Sequence, residues 1–205
     1  MTAAVLVLEV VFIAVTLVGR MALQWQRTGD TGLRLSSGLP IAARVASGLM
    51  IFGSAAWVVA PALVLFGGSI IDETVSSAMR ALGLTFVVIG FALALWWQLV
   101  MGRSWRIGVD EAERTDLVIT GPFTVVRNPI YSAMALTSIG VALAVPTAVA
   151  LVGATAVILG IEVQARLVEE PYLLRTHGRA YAGYTATVGR FVPALGRSRR
   201  HLDRD

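Results

Sequence analysis

The chain has 205 residues, 56% hydrophobic and only 15% charged, with a mean hydropathy of +0.74; this balance excludes an ordinary soluble domain and predicts an all-α integral membrane protein. It contains no cysteine, which excludes disulfides, thiolate catalysis, iron–sulfur clusters and cysteine zinc sites. The net charge of +4 rests on 17 basic residues, all arginine, set between apolar runs and in the tail after Phe191. Arginines so placed act as topology signals and contacts for anionic headgroups, which predicts membrane lipids as partners and not nucleic acid.

The first apolar segment, residues 3–23, is long enough at about 1.5 Å per residue to cross a hydrocarbon layer of about 30 Å. Its uncharged start, with Arg20 after the apolar run, reads as a retained helix rather than a signal peptide. Glu9, close to the N-terminus, is expected near the interface. Residues 24–44 then turn polar, with Arg27, Arg34 and Arg44 against Asp30 and a run of Gly, Ser and Pro that breaks regular helix; this loop is expected on the cytoplasmic side. A second span follows over residues 41–66, kinked at Pro61, and its outer loop carries Asp72 and Glu73.

A third span covers residues 81–101 and ends in Trp96, Trp97 and Gln98, followed by Arg103, Trp105 and Arg106. Tryptophan and arginine gathered at one helix end mark a membrane interface, with Trp96 and Trp97 as an aromatic belt. Residues 102–128 form the longest polar connection. The apolar run 130–161 is a helical hairpin turning at Pro146, its first helix short and its second continuing into the charged stretch 162–170, which Pro171 is expected to disrupt. The loop charges agree on about five spans with the N-terminus outside and the C-terminus inside. Three regions follow: a three-helix part (1–101), a core of loop, hairpin and cytoplasmic tail (102–195), and a disordered basic tail (196–205).

Chemistry has two places to sit. At about 100° per residue, Glu162, Ala165, Arg166 and Glu169 share one helical stripe with Glu170 beside it. Such a stripe faces a cavity, or it is a ladder of i,i+4 ion pairs, Glu162 with Arg166 and Arg166 with Glu170. Residues 127–131, RNPIY, read as a helix start with Asn128 as cap, Pro129 in the first turn and the Tyr131 hydroxyl nearby. Open amides at such an end suit an anionic group, and a plain membrane-helix start fits the residues as well. The two histidines, His177 and His201, are poor material for a metal site, and none is expected.

GPFTVVRNPIY, then after the hairpin EEPYLLRTHGRAYAGY and RFVP, resembles the isoprenylcysteine carboxyl methyltransferase family and the related phospholipid methyltransferases, integral membrane enzymes that use S-adenosylmethionine. The resemblance covers residues 100–195 and rests on Gly121 and Phe123, Arg127 to Tyr131, Glu169, Glu170 and Leu173, and Gly178, Tyr181 and Tyr184. It implies a cytoplasmic cofactor cradle. One part is the segment before the glycine, Thr115, Asp116, Leu117 and Val118, with Phe123 beyond it; another is Asn128, Pro129, Ile130 and Tyr131; the last is the carboxylate Glu169.

Departures bear on the acceptor. Phe123 stands where the prenylcysteine enzymes have tyrosine, and Asn128 replaces the commoner histidine, which removes any titrating imidazole there. The arginine that meets the substrate carboxylate in those enzymes falls at Ala165, one residue before Arg166. Arg166 and Tyr131 are therefore the candidates for positioning a substrate, and the implied activity is methyl transfer from S-adenosylmethionine, leaving S-adenosylhomocysteine, to a lipophilic or amphiphilic small acceptor. Two other functions remain open at this point: an NADPH-dependent membrane reductase of the sterol type, whose carboxyl-terminal region is distantly similar, and a non-catalytic scaffold or transporter. No protein partner is evident.

Overall fold

The computed structural model describes residues 1–31, 40–68, 74–101 and 117–197. Five helices carry the fold: α1 (Thr2–Thr28), α2 (Ile41–Leu65), α3 (Ser77–Met101), the shorter α4 (Pro129–Ala144), and α5 (Ala148–Thr187), whose apolar, membrane-crossing part is Ala148–Val163. Four are long and apolar enough to cross a membrane, and α4 is the short first arm of the hairpin. The chain is an integral membrane protein.

Two close helix pairs build the bundle, and both depend on small residues that let backbones approach. Between α3 and α4, a Cβ on Gly83 would lie 2.4 Å from the Ala144 nitrogen, and one on Gly140 would lie 2.7 Å from the Val87 nitrogen. Between α2 and α5, a Cβ on Gly53 would lie 2.5 Å from the Gly153 carbonyl oxygen. Helix α1 packs against both pairs, with Phe12 edge-on to Phe91 at 5.0 Å and 5.9 Å from Trp57. The hairpin turn at Pro146 is closed by Thr147, whose hydroxyl accepts from the Ala150 amide.

Helix α1 runs further than the apolar pattern predicts, because its inward face turns polar while staying buried. The buried residues Phe12, Thr16, Arg20 and Gln24 follow one another at intervals of four, a spacing that drifts about 40° per step in an α-helix. A π-helical turn at Ala14–Gly19 absorbs the drift and keeps Arg20 and Gln24 on the inner side. The helix ends at Gly29, whose φ of 73° is the left-handed conformation glycine adopts without cost. Glu9 lies on the same inner face, fully buried, and among the described residues neither carboxylate oxygen has a hydrogen-bond partner.

Further differences follow from packing. Helix α2 continues through Pro61, which is buried. Trp96 faces outward, as an aromatic belt requires, whereas Trp97 packs against the core. Pro171 does not stop α5, because it falls in the first turn of the helical segment that follows a second π-helical turn, Gln164–Glu169, where a missing N–H costs least. The break comes instead at Gly178, with φ 51° and ψ −124°. The acidic loop residues Asp72 and Glu73, the arginines and tryptophan of 103–106, and the basic tail from residue 198 lie outside the described residues.

Candidate functional site

The second π turn decides the geometry. In an α-helix, residues five apart point about 140° away from each other; in a π turn, with i→i+5 hydrogen bonding, they stack. Gln164 therefore lies over Glu169, and its Nε2 donates to Glu169 Oε1 at 3.2 Å. The same turn divides the stripe expected from the sequence. Ala165 is fully buried, on the inner side with Gln164. Glu162, Arg166 and Glu170 face the other way, toward the carboxyl-terminal tail.

On the inner side, Tyr131 in the first turn of α4 donates its hydroxyl to the same Glu169 Oε1. Tyr131 also packs against the hydrophobic core. Among the described residues Glu169 thus receives only neutral donors, and its charge is left without a cation. Gln164 is 5% exposed, yet among the described residues its Oε1 has no hydrogen-bond partner. A carboxylate and an orphaned amide oxygen thus lie side by side, an acceptor-rich arrangement that suits a cationic or multiply donating group.

On the tail side the charges are satisfied. Arg190 grips Glu170 with two bonds of 2.7 Å, from Nε to Oε1 and from Nη2 to Oε2. Arg127, its side chain 1% exposed, adds a bond of 2.9 Å to Glu170 Oε1 and donates to the carbonyls of Thr185, Val188 and Gly196. Burial alone would raise the Glu170 carboxyl, but the bonds from Arg190 and Arg127 outweigh it and hold the group below the ordinary carboxylate range. The hydrogen bond to Glu170 correspondingly raises Arg190.

The same arginine cluster fastens the tail over the start of α4. Arg127 and Asn128 donate their amides to the Gly189 and Arg190 carbonyls at 2.8 and 3.1 Å, beside a parallel bridge between Val126 and Gly189. Asn128 occupies the cap position but makes no side-chain cap; its Nδ2 instead donates to the Arg190 carbonyl at 3.3 Å. Ser132 donates to the Phe191 carbonyl, and the Tyr184 hydroxyl donates to the Phe123 carbonyl at 2.6 Å.

Of the residues singled out in the sequence, Tyr131 and Glu169 come into direct contact, and Asn128 and Pro129 frame them from the helix start. Phe123 is buried under the tail, Ile130, Leu117 and Val118 are half-buried, and Thr115 and Asp116 lie outside the described residues. Arg166 pairs with Glu162 on the tail side, where both border a cavity of about 210 Å³ with Arg190, Phe191, Val192 and Leu195. The second expected pair, Arg166 with Glu170, gives way to the stronger grip of Arg127 and Arg190. Gln164 was missed, since an i,i+5 relation belongs to no face of an α-helix.

A family model described as phospholipid methyltransferase matches residues 78–180. The chain belongs to that family. The matched stretch of this phospholipid methyltransferase family member holds α4, the π turn with Gln164 and Glu169, and the Glu170 end of the tail clamp. Among solved structures, the chain is similar to the eukaryotic intramembrane Ras methyltransferase, isoprenylcysteine carboxyl methyltransferase, determined without a monobody. The identity is 19%, the TM-score 0.53, and the match covers 95% of this chain and 76% of that one. This likeness extends the shared fold to α1 and α2, outside the family match. No curated protein matches the chain.

Proposed function

We propose that this protein is an S-adenosylmethionine-dependent methyltransferase acting on a lipophilic or amphiphilic small acceptor. The observation that carries the reading is the hydrogen-bonded group of Tyr131, Glu169 and Gln164 in α4 and α5, where, among the described residues, a carboxylate has neutral partners only. The residues fit the cofactor: its sulfonium and ammonium charges would balance Glu169, and its N–H and O–H groups would meet acceptors that now lack donors. When bound, the cofactor supplies an electrophilic methyl group.

The chain's own part is to bind and orient. Methyl transfer to an acceptor that is already anionic needs no proton movement, so alignment and exclusion of water would carry most of the rate, and well-oriented reactants can gain roughly 7–11 kcal/mol. Tyr131 and Gln164 fix the Glu169 carboxylate. The Arg127–Glu170–Arg190 clamp holds the tail over the start of α4, the helix that carries Tyr131.

The arginine-rich loops support a site and a C-terminus on the cytoplasmic face with the N-terminus outside, in what this reading takes to be the plasma (inner) membrane. In this arrangement residues 1–101 form a three-helix scaffold, 102–195 the cofactor-binding core, and 196–205 a basic extension. The sequence before Gly121, with Thr115, Asp116, Leu117 and Val118, would complete the cradle. Arg166 would serve an acceptor only through the cavity it shares with Arg190 and Phe191, holding a polar end at the membrane edge. Calorimetry of S-adenosylmethionine and S-adenosylhomocysteine with the purified protein in detergent tests the reading: saturable binding is expected, and no heat of binding to the native protein refutes it. Radiolabelled methyl transfer into a total lipid and metabolite extract then identifies the acceptor.

A further inference from the structure

We infer that Gln164 contacts the ligand in this pocket, forming with Glu169 a pair of acceptors for the α-ammonium group of the cofactor's amino-acid end. The inference rests on the function proposed above and assigns a residue and a ligand group that neither the family match nor the sequence motifs supply.

Three observations converge. First, Gln164 is 5% exposed and, among the described residues, hydrogen-bonded through one end of its amide only: Nε2 meets Glu169 at 3.2 Å and Oε1 has no partner. The orientation of the amide is dictated by its neighbour, because a carboxylate needs a donor, so Nε2 must face Glu169 and the acceptor end must point elsewhere. Second, a buried acceptor without a donor destabilises the protein that carries it. A ligand donor would relieve that cost, whereas a leucine would remove the orphaned oxygen only by giving up the Nε2 bond to Glu169 as well.

Third, the π turn at Gln164–Glu169 stacks Gln164 over Glu169, so the two acceptors face the same space. The ligand group must then satisfy a neutral oxygen and an anionic one together. An alkylammonium carries three N–H donors and a positive charge, so it meets both acceptors and neutralises the carboxylate. A vicinal diol would bring two donors but leave a buried negative charge uncompensated, which is costly.

Calorimetry on the full chain in detergent, with two ligands, tests the assignment. S-adenosylhomocysteine has the ammonium group; 5′-methylthioadenosine retains the adenosine and lacks the amino-acid end. For Gln164→Leu, and for Gln164→Met as a second variant of similar volume, affinity for S-adenosylhomocysteine should fall about tenfold, the size of one hydrogen bond to a charged group. Affinity for 5′-methylthioadenosine should stay within about twofold. An equal loss for both ligands overturns the ammonium assignment. Unchanged affinity for S-adenosylhomocysteine in both variants makes Gln164 a structural residue and overturns the inference alone. Wild-type protein that binds neither ligand overturns the proposed function as well.

Discussion

Glu169 and Glu170 are adjacent in sequence and opposite in circumstance. Glu170 on the tail side is gripped by two arginines, one of them almost wholly buried. Glu169 on the inner side has a phenol and an amide for company and no cation. The difference teaches where to look for function in a chain rich in charged pairs. A carboxylate whose charge is already balanced holds the protein together, whereas one left with neutral partners beside an orphaned acceptor waits for a ligand.

The contrast can be broken most forcefully from the tail side. Replacing Glu170 by alanine leaves Arg127 buried without its carboxylate, a change that costs about 3–5 kcal/mol in comparable buried pairs. Chemical denaturation of Glu170→Ala in detergent should show a loss on that scale, together with protease sensitivity at the detached tail after Val188. Glu169→Ala should behave in the reverse manner. Its ligand-free stability should change little, while cofactor affinity measured by calorimetry should weaken by about 1–3 kcal/mol, the scale of a lost charged hydrogen bond.

The two carboxylates also separate by pH. Because the arginine bonds lower Glu170 in the folded protein, it contributes stability that is complete above the ordinary carboxylate range. As pH falls, the unfolded chain takes up the proton first, so this stability is lost progressively down through the folded value. Melting temperature should therefore decline in acid for the wild type, and decline less steeply below the ordinary range in Glu170→Gln.

The smallest effect should come from Arg166. Its partly exposed pair with Glu162, with side chains 54% and 36% exposed, is worth about 0–1 kcal/mol. Arg166→Ala should leave cofactor affinity within about twofold. Once an acceptor is identified, a rise in its KM without a change in kcat would place Arg166 at the acceptor's polar end, and unchanged kinetics would remove it from that role.

Much of the architecture was legible in the residues themselves. Apolar runs long enough to cross a bilayer, with glycine and proline at their ends, located all five helices and the turn at Pro146, because a membrane leaves a backbone few alternatives to helix. The motif residues from Arg127 to Tyr131 and the pair Glu169–Glu170 were also visible, and Tyr131 does meet Glu169. What escaped were features set by turns wider than an α-helix. The π turn at Ala14–Gly19 keeps Arg20 and Gln24 inside, so α1 outlasts its apolar run. The π turn at Gln164–Glu169 separates residues that a 3.6-residue period had placed on one stripe.

The sequence by itself determined the solvent in which this protein lives, the number of its helices and the residues from which a site can be made. Those follow from hydrophobicity and short-range backbone sterics, which are local. Only the tertiary structure decided which carboxylate is paired with arginines and which has neutral partners, which arginines hold the tail, and that Gln164 belongs with Glu169. These depend on contacts between residues as far apart as Arg127 and Gly196, and on helical register that shifts by one residue where the packed bundle requires it.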